Sequence, residues 1–359
     1  MRRIFFLFLL WGIFINGKVK SDTLTTIIKG NIENLSDGKI YLYKNTFDNV
    51  IDSTDVKNEK FHLEHMFLEN QPQYIGFFHY DSQNLKTLFF FPKKDLKSDK
   101  TKYVDRIMSD SLIIFDKALK INKEVSNSHT IYANTTVNGG KQTLAYLQSE
   151  IDLFDNIDIT TVNLIGERIK KNPFSYHLLY ELQDHKNDLD AKDLEKLMHL
   201  FNNDIKKSLV YNNIESFVIL KNKSKKEKII TSLKNNNGKN QKIINEKYKK
   251  HLIIFWASWC GPCLQEIPHL KKINKENKDI ELISISIDKD EKAWKKKLSE
   301  EKITWKQLIV NLQDQKLLEA SFGFSNTVPY TILIDNNFKV LYQFTGLISK
   351  ENLNKILKE

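Results

Sequence analysis

The sequence predicts a multidomain chain: an N-terminal antiparallel β domain, a helical middle region, and a C-terminal α/β domain on a partly parallel sheet. Three observations carry this. Over residues 22–125, short β-branched and aromatic runs alternate with turn signals. Over 126–226 the apolar spacing lengthens to three and four residues. Over 227–359 strand-like and helix-like runs alternate, the pattern of an α/β layer. A chain of 359 residues accommodates two or three domains at roughly 100–200 residues each.

In the first region, Lys39-Ile40-Tyr41-Leu42-Tyr43 places Ile40 and Leu42 on one strand face and the two tyrosines on the other. Ser36-Asp37-Gly38 and Asn58-Glu59 mark turns. In the middle region TLAYLQSEIDLF predicts one helix with Leu144, Leu147, Ile151 and Phe154 on its buried face. Asn172-Pro173 opens a second helix through Tyr176, Leu179 and Tyr180. Asp190 is an N-cap for a third that stacks Leu194, Leu197, Met198 and Phe201. Aromatic residues at this spacing serve a core. Lys221 onward reads as a linker, and Asn-Asn-Gly at 236–238 as a hairpin turn.

The C-terminal region resolves into a strand at 251–255, a helix at 261–277, a strand at 280–287 and a helix at 293–300. Then come a helix at 317–322, strands at 330–334 and 339–344, and a helix at 350–358.

The first 21 residues stand apart. Arg2 and Arg3 precede an apolar run from Ile4 to Ile15, too short for the roughly 20 residues of a spanning helix but suited to an export signal. Gly17 and Ser21 are poor cleavage sites, so residues 1–21 read as a signal peptide or an uncleaved N-terminal anchor. No cysteine follows to carry a lipid. In either case the body is exported to the periplasm or cell envelope.

The net charge of +10 does not indicate nucleic acid. Arginine, the residue of bidentate phosphate recognition, occurs only at 2, 3, 106 and 168, and the lysines are interleaved with Asp, Glu and Asn. A solvated lysine-rich surface follows.

The chain has two cysteines, Cys260 and Cys263, in FWASWCGPC. A bridge between them closes almost no loop and adds little stability, so they are placed for reactivity. The motif lies at the end of a strand and the start of a helix. There, unpaired N–H groups and the helix dipole favour a thiolate over a thiol of ordinary pKa, about 8.5. Cys260 is the attacking thiol, and Cys263, one turn on, resolves the mixed disulfide. Pro262 fits a first turn that needs no donor, and Gly261 adds no bulk beside the sulfur. Trp256 floors the site and Trp259 flanks it. Zinc needs four ligands; this stretch adds only His269, which reads as solvated. No metal and no cofactor beyond the redox-active Cys260–Cys263 disulfide is expected.

FWASWCGPC with Glu266 and Pro268, then SISID at 284–288, then Thr327-Val328-Pro329-Tyr330 running into ILID at 332–335, resembles the thioredoxin-like thiol-disulfide oxidoreductases of the TlpA/ResA type, in the AhpC/TSA-like superfamily. The resemblance spans residues 227–359 and implies a thioredoxin fold there. IKGNIENLSDGKIYLY and VIDSTDV likewise resemble a DUF4369 β domain over 22–125. The first resemblance implies that Pro329 is cis, with Val328 pairing to an incoming peptide, and that Trp259, Gly261 and Pro262 touch substrate. It also implies that Glu266 takes the proton of Cys263. Thioredoxin itself has a buried Asp where this chain has Ile254, which shifts that task to Glu266 or water.

The resemblance implies an exported enzyme that reduces disulfides in envelope proteins and is re-reduced by a membrane thiol donor. Two alternatives share the fold: an envelope binding or redox-sensing protein, and a thiol peroxidase, although the residues before Cys260 lack the Pro-x-x-x-Thr-x-x-Cys setting.

Overall fold

The computed structural model describes residues 24–98, 100–115, 130–226 and 230–358. The expected signal or anchor at 1–21 lies outside them, as do residues 227–229. No described helix is long and apolar enough to cross a membrane. The chain divides into two compact units, one up to Asp152 and one from Leu153.

The first unit contains β1 (Leu24–Asn31), β2 (Gly38–Lys44), β3 (Val50–Val56), β4 (Lys60–Phe67), β5 (Tyr74–Asp81) and β6 (Lys86–Lys94). It continues through β7 (Thr101–Val104), β8 (Arg106–Met108), β9 (Leu112–Phe115), β10 (Thr130–Asn134), β11 (Val137–Gly139) and α1 (Lys141–Gln148). One sheet has the order β11-β9-β1-β4; the other runs β10-β6-β5-β2-β3, with β7 and β8 on β6 and β5. Their inner faces meet through aromatic rings: Phe115 packs edge-on to Phe77 at 5.1 Å and to Phe89 at 5.5 Å. Asn58 and Glu59 both take positive φ, as a tight turn requires.

Three expectations need correction here. The sheets are not wholly antiparallel, since β1 pairs with β9 and β10 with β6 in parallel. And the β unit does not stop at 125, because β10, β11 and α1 complete it. The helix expected to bury Leu144 and Ile151 ends at Gln148, leaving both more than a third exposed. Its orientation is set by polar ties: Gln142 N donates to Asp110 Oδ2 at 2.6 Å and Thr143 Oγ1 to the Met108 carbonyl at 2.9 Å. These turn Ala145 and Tyr146 inward instead.

The second unit opens with α2 (Ile159–Lys171), α3 (Tyr176–Asp184), α4 (Ala191–His199), α5 (Asn203–Lys206) and α6 (Leu209–Lys226). Asp158, Ser175, Asp190 and Asn202 each cap a helix start through a side-chain oxygen. Leu194, Leu197, Met198 and Phe201 are buried together as their spacing predicts. Residues 221–226 are not linker but the end of α6.

There follow β12 (Ser232–Asn235), β13 (Asn240–Lys242), β14 (Lys250–Trp256), α7 (Gly261–Glu276), β15 (Ile280–Ser286) and α8 (Glu291–Glu300). The chain closes with β16 (Lys306–Ile309), α9 (Leu312–Phe322), β17 (Tyr330–Asp335), β18 (Val340–Thr345) and α10 (Lys350–Lys358). One sheet has the order β13-β12-β16-β15-β14-β17-β18; β14, β15 and β16 are parallel, and β17 runs against β14. β14 shows why its run is apolar throughout. Ile253 and Phe255 face a core with Leu318 and Phe322 of α9, while Leu252 and Ile254 face one with Ile267 and Leu270 of α7 and Leu353 of α10.

The helical region and this α/β layer fall in one compact unit. Ala320 of α9 belongs to the helical core, Ser224 Oγ donates to the Ala320 carbonyl at 3.2 Å, and Lys186 pairs with Glu319 at 2.8 Å.

Candidate active site

The parallel sheet delivers β14 to the start of α7, and the turn between them carries the motif. Cys260 N donates to the Ala257 carbonyl at 3.1 Å, closing the turn. Cys260 is the N-cap of α7, and its Sγ accepts from Cys263 N at 3.2 Å. One of the helix's first unpaired N–H groups therefore points at the sulfur expected to become a thiolate. Pro262 sits in the first turn, where it displaces no helical hydrogen bond. Gly261 borders open space. Cys260 and Cys263 form a disulfide, with Cα atoms 5.3 Å apart.

Trp256 is buried in the cluster that holds both cysteines, and Trp259 is 68 % exposed. In the disulfide form the two cysteines are almost equally buried, Cys260 4 % and Cys263 3 % exposed. The turn folds Cys260 inward toward Cys263, so any difference in their reactivity must arise from electrostatics or after reduction.

The Val328–Pro329 bond is cis. Val328 packs on the cysteine cluster, and the register of β17, which sets Tyr330 opposite Phe255, brings this bond to the same end of the sheet as the motif. Gly346 N donates to the Pro329 carbonyl at 2.8 Å.

Glu266 is 6 % exposed, on the buried face of α7 with Cys263 and Ile267, rather than on a solvated face. Its Oε1 accepts from Ile348 N at 2.9 Å, and its Oε2 is enclosed without a hydrogen-bond partner. Burial pushes its pKa up from 4.5 to about 7, and the Ile348 hydrogen bond opposes this only in part. Ile254 packs in the same core as Ile267, so β14 offers no carboxylate on that side. His269, expected in solvent, is half-buried with Nε2 enclosed, and burial lowers its pKa.

Asp288 and Ser258 had no assigned role in the sequence; SISID gave only a resemblance. The Asp288 carboxylate accepts from Ser258 N at 2.9 Å, Ser258 Oγ at 2.6 Å and Ser286 Oγ at 2.7 Å. This ties the end of β15 to the loop before Cys260. The signal that could have found it is an acidic residue directly after a buried parallel strand, where a carboxylate must find donors. Ser258, Trp259 and Asp288 also line a groove of about 900 Å³ whose floor includes Ile287, Ile309 and Val310.

Residues 221–357 match the family described as Redoxin, and residues 26–146 match the domain of unknown function DUF4369. The thioredoxin-like protein YneN of Bacillus subtilis is 28% identical over 127 residues, 35% of this chain and 74% of that protein. The thiol-disulfide oxidoreductase ResA of Geobacillus kaustophilus is 25% identical over 132 residues, 36% of this chain and 72% of that protein. These matches support a ResA/TlpA-type thiol-disulfide oxidoreductase. A solved thiol-disulfide oxidoreductase from Bacteroides fragilis is 29% identical, covering 35% of this chain and 93% of that one, at a TM-score of 0.30. The C-terminal part of this oxidoreductase has the thioredoxin fold, its N-terminal part is mostly strand, and helices lie between them. Its family implies protein substrates that contain disulfides.

Proposed function

We propose that this oxidoreductase is exported to the cell envelope and reduces disulfide bonds in proteins there, using Cys260 and Cys263 as a dithiol. The observation that carries the reading is a disulfide at the N-terminus of α7 with a buried carboxyl, poised near neutrality, one helical turn beyond its second cysteine. In the reduced enzyme the Cys260 thiolate attacks a substrate disulfide, forming a mixed disulfide and releasing one substrate thiolate, which takes a proton from water. Cys263 gives its proton to Glu266, and its thiolate attacks Cys260 Sγ. The Cys260–Cys263 disulfide re-forms and the second substrate sulfur leaves as a thiolate, which takes a proton from water. The substrate gains two electrons and the enzyme loses two.

Trp259, Gly261 and Pro262 border the incoming chain, and the backbone of Val328, before Pro329, pairs with it. No cofactor beyond the disulfide takes part in this scheme. A membrane thiol carrier returns the electrons, and residues 1–21 direct export as signal or anchor.

Trapping tests the reading. Cys263→Ser in the full chain should accumulate mixed disulfides with envelope proteins through Cys260, released by dithiothreitol. Cys260→Ser should trap none. Equal capture by both variants, or by neither, would sink the assignment.

A further inference from the structure

Asp288 is a buried charge placed against the loop that carries the nucleophile. It is 5 % exposed, and its carboxylate accepts from Ser258 N, Ser258 Oγ and Ser286 Oγ at 2.9, 2.6 and 2.7 Å. Asp288 N in turn donates to Ser286 Oγ at 3.0 Å. Accepting at both oxygens is the pattern of a carboxylate. Ser258 lies two residues before Cys260, and a second tie, Ile287 N to the Trp256 carbonyl at 3.0 Å, fixes the same two strand ends. The other charged groups around the adjoining groove are Lys234, Lys289, Asp290 and Glu291, all exposed. Asp290 caps α8, and Glu291 pairs with Lys295 at 3.7 Å. Solvent and salt screen those charges, whereas a buried one is screened much less.

A negative charge held there opposes negative charge building on Cys260 Sγ. It works against the α7 N-terminus, which favours the thiolate. A couple whose reduced form is stabilised is an oxidant; destabilising that form does the reverse.

We propose that Asp288 is a positioning residue that sets the direction of the chemistry: it fixes the Cys260 loop, and its charge biases the couple toward the disulfide, making the dithiol a stronger reductant. This rests on the dithiol reading of Cys260 and Cys263.

The test is equilibration of the full chain with reduced and oxidised glutathione. In it the Cys260–Cys263 disulfide plus two glutathione thiols gives the dithiol plus one glutathione disulfide. Asp288→Asn keeps the shape and removes the charge; it should raise the constant for dithiol formation about tenfold, equivalent to about 30 mV. Ser258→Ala and Ser286→Ala keep the charge and remove a donor that compensates it; they should lower the constant two- to threefold, to roughly half or a third. The opposite signs are diagnostic, because a merely structural clamp destabilises both redox forms and moves the constant in no such pattern. An unchanged constant in Asp288→Asn, or shifts of one sign in all three variants, would overturn the proposal. The serine variants decide it alone if Asp288→Asn does not fold, since a constant that rises or stays put in both contradicts the charge argument. A wild-type chain that does not exchange with glutathione fails earlier, and overturns the dithiol reading itself.

Discussion

Glu266 carries the same physical conflict in its stability and in its proposed role. Burial raises its pKa from 4.5 to about 7, so the folded state holds the proton more tightly than the unfolded chain. Its contribution to stability is therefore fully present below about pH 4.5 and is lost as pH rises through about 7, a difference of roughly 3 kcal/mol. Glu266→Gln should remove that loss. Denaturant unfolding should show the variant gaining on wild type from pH 4.5 to 8, by up to about 3 kcal/mol. The same change should slow release of the mixed disulfide about 10²-fold or more while sparing the initial attack by Cys260. In wild type, release should accelerate as pH rises through about 7, because only the ionised carboxylate accepts a proton. Release that is equally fast in the variant would remove Glu266 from the chemistry. The sequence supplied the residue through its resemblance, but a glutamate three places after a cysteine suits a wet helix face equally well. The Ile348 N–H and the enclosing core decided its state.

At the scale of elements, α7 does the electrostatic work. With both cysteines equally buried in the disulfide, selectivity after reduction is expected from the N-terminus of α7, whose Cys263 N–H already points at Cys260 Sγ. A helix N-terminus favours a nearby anion by about 1 kcal/mol or more, approaching a decade in acidity. Iodoacetamide at pH 7 should label Cys260 of the reduced enzyme about tenfold faster than Cys263; equal labelling would count against this account. Elements long enough to show a period were readable, as with α4 and its Asp190 cap. β16 was not predicted, because its four residues are too few to establish alternation and it is a strand through pairing with β15 and β12. The face of α1 was misread because Asp110, more than thirty residues earlier, sets its rotation.

At the scale of the whole molecule, the unit from Leu153 changes which fragment should fold. The resemblance spans residues 227–359, but cutting there removes α6 from α9 and uncovers Ala320, together with the partners of Glu319 and of the Ala320 carbonyl. A fragment of residues 153–359 should melt above one of 227–359. Each kcal/mol lost is worth roughly 2–4 °C for domains of 150–250 residues, so a gap of at least about 5 °C is expected in thermal unfolding. The longer fragment should also reduce a generic disulfide at nearly the full chain's rate, since every residue given a chemical role lies beyond 250. Equal melting would mean that the helical region is a separate domain after all.

By itself, the sequence determined the chemistry class and its address: two cysteines, three positions apart, between a continuous apolar strand and a Pro-containing helix start. Period and punctuation are local properties, and FWASWCGPC shows them within nine residues. Only the tertiary structure decided what surrounds those sulfurs. The near-neutral carboxyl of Glu266, the Asp288 tie to Ser258 and the docking of α6 on α9 join residues from 30 to more than 80 positions apart. Burial, which sets the energy of a charge, depends on what packs around it and has no signature in local spacing.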